Sequence, residues 1–208
     1  MRGIIGEAVD RGDRRLTTPD ASDRRLAYAL AVRIETERLV LVPITLPMVE
    51  AVFANDRVRA EALAGARLPD AWPGKALVER AFSADLDLIR ADPARRLWGD
   101  RLMISRLNER EPRIVGSVIF HGRPADDGVA EVGYGVELES QGRGFATEAT
   151  RACVEWALTQ PECVAVTATT YPWHRASLRV IEKLGMKLAG TTEHDMFGEL
   201  LVFEKRRG

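Results

Sequence analysis

Cysteine and histidine are scarce in this 208-residue chain, which has two of the first and three of the second. Two cysteines make no disulfide framework, and no Cys/His group has metal-ligand spacing, so no structural zinc and no metal cofactor are expected. Cys153 falls on the apolar face of a predicted helix, the place of a small buried hydrophobe. An excess of either charge is also missing. Thirty basic and 31 acidic side chains leave a net charge of −1, without the basic footprint that nucleic-acid binding needs. Long apolar runs are absent too: "LAYALAV" at 26–32 is closed by Arg33 and is too short to span a membrane. Twin arginines at 14–15 and 24–25 precede no export segment. The expected location is the cytoplasm. No Gly-Lys-Ser/Thr occurs for a P-loop. A dinucleotide fingerprint fails because Thr147 stands where its third glycine belongs.

What is present is an alternation of periodic segments. Residues 1–33 mix charges without a periodic face and read as an extension, partly disordered, ahead of a domain at 34–208. "IETERLVLVPI" (34–44) reads as a first strand, with Leu39, Leu41 and Pro43 alternating. One helix is predicted over "LPMVEAVFANDRVRAEAL", and a second runs through "WPGKALVERAFSADLDLIRADP" to a stop near Pro93. Strands follow around 96–106, 113–122 and 129–138, the first two joined as a hairpin across "NEREP". The pattern then turns to helix ("GRGFATEATRACVEWALTQ"), strand ("CVAVTATT"), helix ("HRASLRVIEKLG") and a final antiparallel pair. This order predicts an α+β domain around a mixed, mostly antiparallel sheet of about seven strands, with helices on both faces.

Three local features carry chemistry. "ESQGRGFATEAT" sets two glycines directly before a helix. The first N–H groups of a helix lack internal partners and sit at the positive end of its dipole, so the stretch is either an anion seat or a tight turn that needs glycine for its backbone angles. In "AEVGYGV" (130–136), Ala130, Val132, Tyr134 and Val136 share one strand face, while Glu131, Gly133 and Gly135 share the other. The glycine face is a lane bare of side chains, with a carboxylate on it. Ser177 lies on the stripe of Val180, Ile181 and Leu184. It either bonds a carbonyl one turn back or delivers a hydroxyl to a reaction centre.

"QGRGFA" (141–146) matches the Q/R-x-x-G-x-G/A pyrophosphate motif of the GCN5-related N-acetyltransferases, and the chain resembles that family from about 34 to 206. "TERLVLVP", "LPDAWP", "AEVGYGVELESQGRGFATEA" and "HRASLRVIEKLGM" are similar to the branch of ribosomal-protein N-terminal acetyltransferases. The resemblance implies a sheet splayed between its fourth and fifth strands, "YGVEL" and "CVAVTATT", with a bulge in the former. Coenzyme A would enter that gap, its pyrophosphate on backbone N–H groups of Gln141, Gly142, Arg143, Gly144, Phe145 and Ala146. Pantetheine would run along Val136, Glu137 and Leu138, and the N–H near Val136 would polarise the thioester carbonyl. His174 stands where relatives have asparagine, and would still contact the coenzyme. Ile181 stands where many carry a tyrosine general acid, which turns attention to Ser177 as the donor to the leaving thiolate.

The implied activity is transfer of acetyl from acetyl-CoA to a primary amine, directly within a ternary complex. The alternative is a catalytically weak coenzyme-A-binding sensor or interaction domain. An attacking amine must lose a proton. Glu131 is the candidate base, the other reading being a structural carboxylate paired with an arginine. No nucleophilic cysteine is needed. The expected partner is the amine acceptor, a protein N-terminus or a small molecule, with the enzyme a monomer or homodimer. Trp72, Trp98 and His121 are candidates for the acceptor side or for packing.

Overall fold

A computed structural model describes residues 32–70, 86–108, 110–194 and 198–208. An eight-stranded mixed sheet runs in the order β1-β2-β3-β4-β5-β6-β8-β7. Its strands are β1 (Ile34–Glu35), β2 (Leu39–Pro43), β3 (Arg101–Ser105), β4 (Arg113–Phe120), β5 (Val129–Val136), β6 (Ala165–Thr170), β7 (Lys187–His194) and β8 (Gly198–Arg206). All neighbours are antiparallel except β5 and β6. The eighth strand arises because "IETERLVL" folds back on itself. Ile34 and Glu35 pair with Leu41 and Val40, so the expected single first strand is a small hairpin.

Side-chain alternation divides the core between the two sheet faces. Leu39, Leu41, Met103, Val118, Ala130 and Val132 pack beneath α5 (Phe145–Thr159) and α6 (Arg175–Lys183). On the other face, Ile104, Ile114 and Ile119 pack beneath α1 (Leu46–Phe53), α2 (Arg57–Ala64) and α3 (Leu86–Ala91). Each fully buried Leu, Val or Phe contributes about 1.5–3 kcal/mol relative to exposure.

Several predicted boundaries move. The first helix is two, because Asn55 takes a left-handed φ of 55° and the Asp56 side chain caps Arg59 N–H. The apolar spacing runs on through that break, which is why it reads as continuous. The stop expected near Pro93 holds, since α3 ends at Ala91, and Pro93 itself opens a further single turn, α4 (Pro93–Arg96), capped by Asp92. The remainder of the predicted second helix, with Trp72, lies outside the described residues, as do residues 1–31. Strand β3 starts only at Arg101, and Trp98 before it is a core residue. Its ring meets Phe120 edge-on at 5.1 Å and Trp156 at 5.1 Å, which removes it from any acceptor surface. His121 is exposed at the end of β4.

Strands β5 and β6 decide where a ligand can lie. They pair only through Val129↔Ala165, Ala130↔Val166 and Glu131↔Thr167. Beyond Glu131, β5 continues along β4 as far as Val136, while β6 continues along β8. The sheet therefore parts like a V with Glu131 at its vertex. The register irregularity expected in β5 sits instead in β4. Met103 opposes Gly116 and Ile104 opposes Ile114, so Val115 is the extra residue. Beside it, β4 and β5 come together closely: a Cβ added to Gly116 would stand 2.2 Å from the Gly135 carbonyl oxygen.

Candidate active site

Strand β5 leaves the V at Val136 and enters the loop that leads to α5. Glu137 N–H donates to Val115 O at 2.9 Å, and a 3-10 turn follows at Leu138–Ser140. The Gln141 side chain reaches back, donating from Nε2 to Val136 O at 2.9 Å, while its own N–H closes onto Leu138 O. Gln141 therefore pins the loop with its side chain, and its amide is already spent. Gly142 and Gly144 adopt φ of 73° and 83°, which other residues reach only with strain. Gly144 is the N-cap of the 15-residue helix α5, and no side chain caps that end. The first-turn donors at Phe145, Ala146 and Thr147 are thus left for an anion, with the helix dipole behind them. Phe145 is buried beneath them and anchors the turn, and Arg143 is exposed. A coenzyme pyrophosphate fits this donor set: bare glycines, uncapped amides and, in Glu148, a neighbouring carboxylate that has its own cation.

That last condition is met by residues which sequence reasoning had not assigned to the site. Glu148, one turn into α5, accepts from Thr36 Oγ1 (2.6 Å), Arg38 N (2.8 Å) and Arg38 Nε (2.8 Å), and its ion pair with Arg38 closes to 2.6 Å. The same guanidinium donates to Arg143 O at 2.8 Å and lies over the Phe145 ring. Burial pushes the Glu148 carboxyl up, but the Thr36 and Arg38 donors outweigh it and hold its pKa below the ordinary value. The β1–β2 hairpin thereby clamps the loop from outside. Beside it opens a cleft of about 610 Å³ lined by Thr36, Arg38, Gly144, Thr147 and Arg151, among others. Only the opposite charges in "TER" and "ATEA" hinted at this contact, and nothing local joins positions 110 apart.

On the V itself, Glu131 is half-buried, and among the described residues its carboxylate has no ion-pair partner. The arginine pairing weighed as its structural role is therefore not found there. Glu137 lies further along the same face of β5. Burial raises its carboxyl pKa against the opposing pull of Arg113, and its Oε1 is buried with no partner among the described residues. On the opposite face, Ser177 does not bond back along its helix. Its Oγ lies 2.9 Å from the Tyr134 hydroxyl, which is also within hydrogen-bond distance of Ser177 O at 3.2 Å. Tyr134 shares its strand face with Ala130, Val132 and Val136, and the structure brings its hydroxyl to α6. Ile181 is buried in the core beneath α6. His174 is the exposed N-cap of α6, with Nδ1 3.5 Å from Thr170 Oγ1.

Neither thiol is available as a nucleophile. Burial pushes the Cys153 thiol up to about 12, against the pull of Arg101, and burial also raises Cys163. Among the described residues no group of acidic, histidine or cysteine side chains is arranged to hold a metal ion, and no helix is long and apolar enough to cross a membrane.

Comparison with known proteins gives this geometry a context. A family model described as an acetyltransferase (GNAT) domain matches residues 38–187. The N-acetyltransferase YjdG of Bacillus subtilis strain 168, itself uncharacterized, is 26% identical over 157 residues, covering 76% of this chain and 90% of its own length. Among solved structures, the ribosomal-protein-S5-alanine acetyltransferase of Vibrio fischeri superposes with a TM-score of 0.56 at 17% identity, over 85% of this chain and 97% of that one. Mycobacterium smegmatis RimJ, solved with a coenzyme A disulfide, gives 0.54 at 16% identity, over 86% and 88%.

Proposed function

The chain belongs to the GNAT acetyltransferase family, and from that premise we propose that it moves an acetyl group from acetyl-CoA to a primary amine, directly within a ternary complex in the cytoplasm. The observation that carries the reading is the parting of β5 from β6 just above Glu131, next to the uncapped N-terminus of α5. Pyrophosphate is held by the amides from Gly142 to Ala146, and pantetheine follows Val136, Glu137 and Leu138 into the V. His174 contacts it from the β6 side. The thioester then lies near the vertex, with its carbonyl polarised by backbone N–H near Val136.

Glu131 accepts the proton of the attacking amine from one face of β5, directly or through water. Ser177 serves the leaving sulfur from the other face. The acceptor is a protein N-terminus or a small-molecule amine; the acetyltransferase of V. fischeri, by its name, acts on an alanine of ribosomal protein S5.

The second reading, a coenzyme-A-binding sensor, draws on Ile181, whose buried aliphatic side chain offers no acid where many relatives carry one. Free thiol release from acetyl-CoA over a panel of primary amines, including peptide N-termini, separates the two. The transferase gives amine-dependent thiol and an acetylated product. A coenzyme-induced melting shift with no thiol from any amine supports the sensor.

A further inference from the structure

The contact between Tyr134 and Ser177 has more hydrogen-bond acceptors than its phenol has protons. The Tyr134 hydroxyl faces both Ser177 O at 3.2 Å and Ser177 Oγ at 2.9 Å, and it carries one hydrogen. If that hydrogen goes to the carbonyl, the serine must donate to the phenol. If it goes to Oγ, the serine hydrogen is free to point elsewhere. Tyr134 sits on the stretch of β5 that has already parted from β6, opposite Val118 of β4, so the choice is made at the wall of the V. A helical serine without such a neighbour turns its hydroxyl onto a carbonyl one turn back, where it is lost to chemistry. Here the phenol supplies a donor to Oγ, and negative charge developing in the V favours the second arrangement.

We infer that Tyr134 is a positioning residue which donates its proton to Ser177 Oγ and so commits the serine hydrogen to the departing coenzyme sulfur. The inference rests on the acetyl-transfer reading above. In that step the amine nitrogen forms a bond to the acetyl carbon, and the carbon–sulfur bond breaks with its electron pair on sulfur. The nitrogen's proton passes to Glu131 and on to water. The thiolate leaves holding the Ser177 hydrogen bond and takes its own proton from solvent. Ser177 and Tyr134 end the cycle with the protons they began with. The hydroxyl that many relatives place on the last helix is thus replaced by a pair, one member on α6 and the other on β5.

The test is Tyr134→Phe, which keeps the ring and removes only the hydroxyl, combined with Ser177→Ala and Ser177→Thr. Tyr134→Phe should lower kcat about ten- to a hundredfold, the effect of one hydrogen bond to a charged group. Its KM for acetyl-CoA and its melting shift with coenzyme A should match wild type. Tyr134→Phe/Ser177→Ala should be no slower than the slower single variant. Ser177→Thr should keep most of the rate with Tyr134 present and lose it with Phe there. Wild-type kcat in Tyr134→Phe, or losses that simply multiply in the double variant, would overturn the inference while leaving acetyl transfer standing. If Tyr134→Phe does not fold, a fully active Ser177→Ala overturns it instead. A wild-type protein that releases no thiol with any amine overturns both.

Discussion

Glu131 shows how much one residue's role depends on its register. Strand alternation alone puts it on the face of Gly133 and Gly135, which is legible in "AEVGYGV" because a period of two needs no tertiary information. Its place at the vertex, where parallel pairing ends, depends on β6, 34 residues further on, and no local pattern reports that. We predict that Glu131→Gln, which keeps shape and hydrogen bonding but accepts no proton, lowers kcat by about 10²–10⁴ with little change in coenzyme affinity. The kcat/KM profile should regain rate as rising pH deprotonates the amine unaided. A Gln variant as fast as wild type at neutral pH would transfer the proton to water or to the acceptor's own equilibrium. Tyr134 illustrates the opposite case. Its strand face was readable, but its hydroxyl partner was not, because a tyrosine on an apolar face reads as core whichever way its oxygen points.

Among the elements, the β1–β2 hairpin and the first turn of α5 form one unit through Arg38 and Glu148. A carboxylate this near the proposed coenzyme cradle would repel a pyrophosphate unless neutralised, and Arg38 neutralises it while holding the Arg143 carbonyl. Glu148→Gln should cost about 1–3 kcal/mol, the effect of breaking hydrogen bonds to a charged group. With 35% and 15% of the two side chains exposed, solvent screening favours the lower end. The sign with pH follows from the lowered carboxyl. Its contribution is fully present above the ordinary carboxylate range and is lost as pH falls through the folded value. Melting temperatures between pH 7 and pH 3 should therefore fall less steeply in Glu148→Gln than in wild type. Parallel acid limbs would mean that the ion pair contributes nothing to folding. Element boundaries, by contrast, were legible wherever a chain-breaking residue announces itself. Gly185, with φ of 70°, ends α6 as its position after "EKL" predicts. Asn55 gives no such notice inside a continuing apolar period.

For the whole molecule, the open matter is how much chain the acetyltransferase domain needs. We propose that residues 32–208 fold and bind coenzyme without what precedes them. Strand β1 begins at Ile34 and the family match at Arg38. One described contact argues for cutting no later than residue 31: the buried Arg101 donates to Val32 O at 3.5 Å. A buried guanidinium deprived of that acceptor would be left with Gly99 O and the Trp156 face, so Val32 belongs with the domain. Removing residues 1–31 should change the melting temperature by less than about 4 °C, which at this chain length corresponds to roughly 1 kcal/mol. Coenzyme A at about 100 times its dissociation constant should stabilise both forms by about 2.7 kcal/mol. Thermal melts of the two chains, with and without coenzyme, decide the matter. A truncated protein that is insoluble, or whose melting point falls much further, would show that the first 31 residues pack on the domain or join two copies of it. A truncated protein that melts like the full chain but loses the coenzyme shift would place those residues at the ligand.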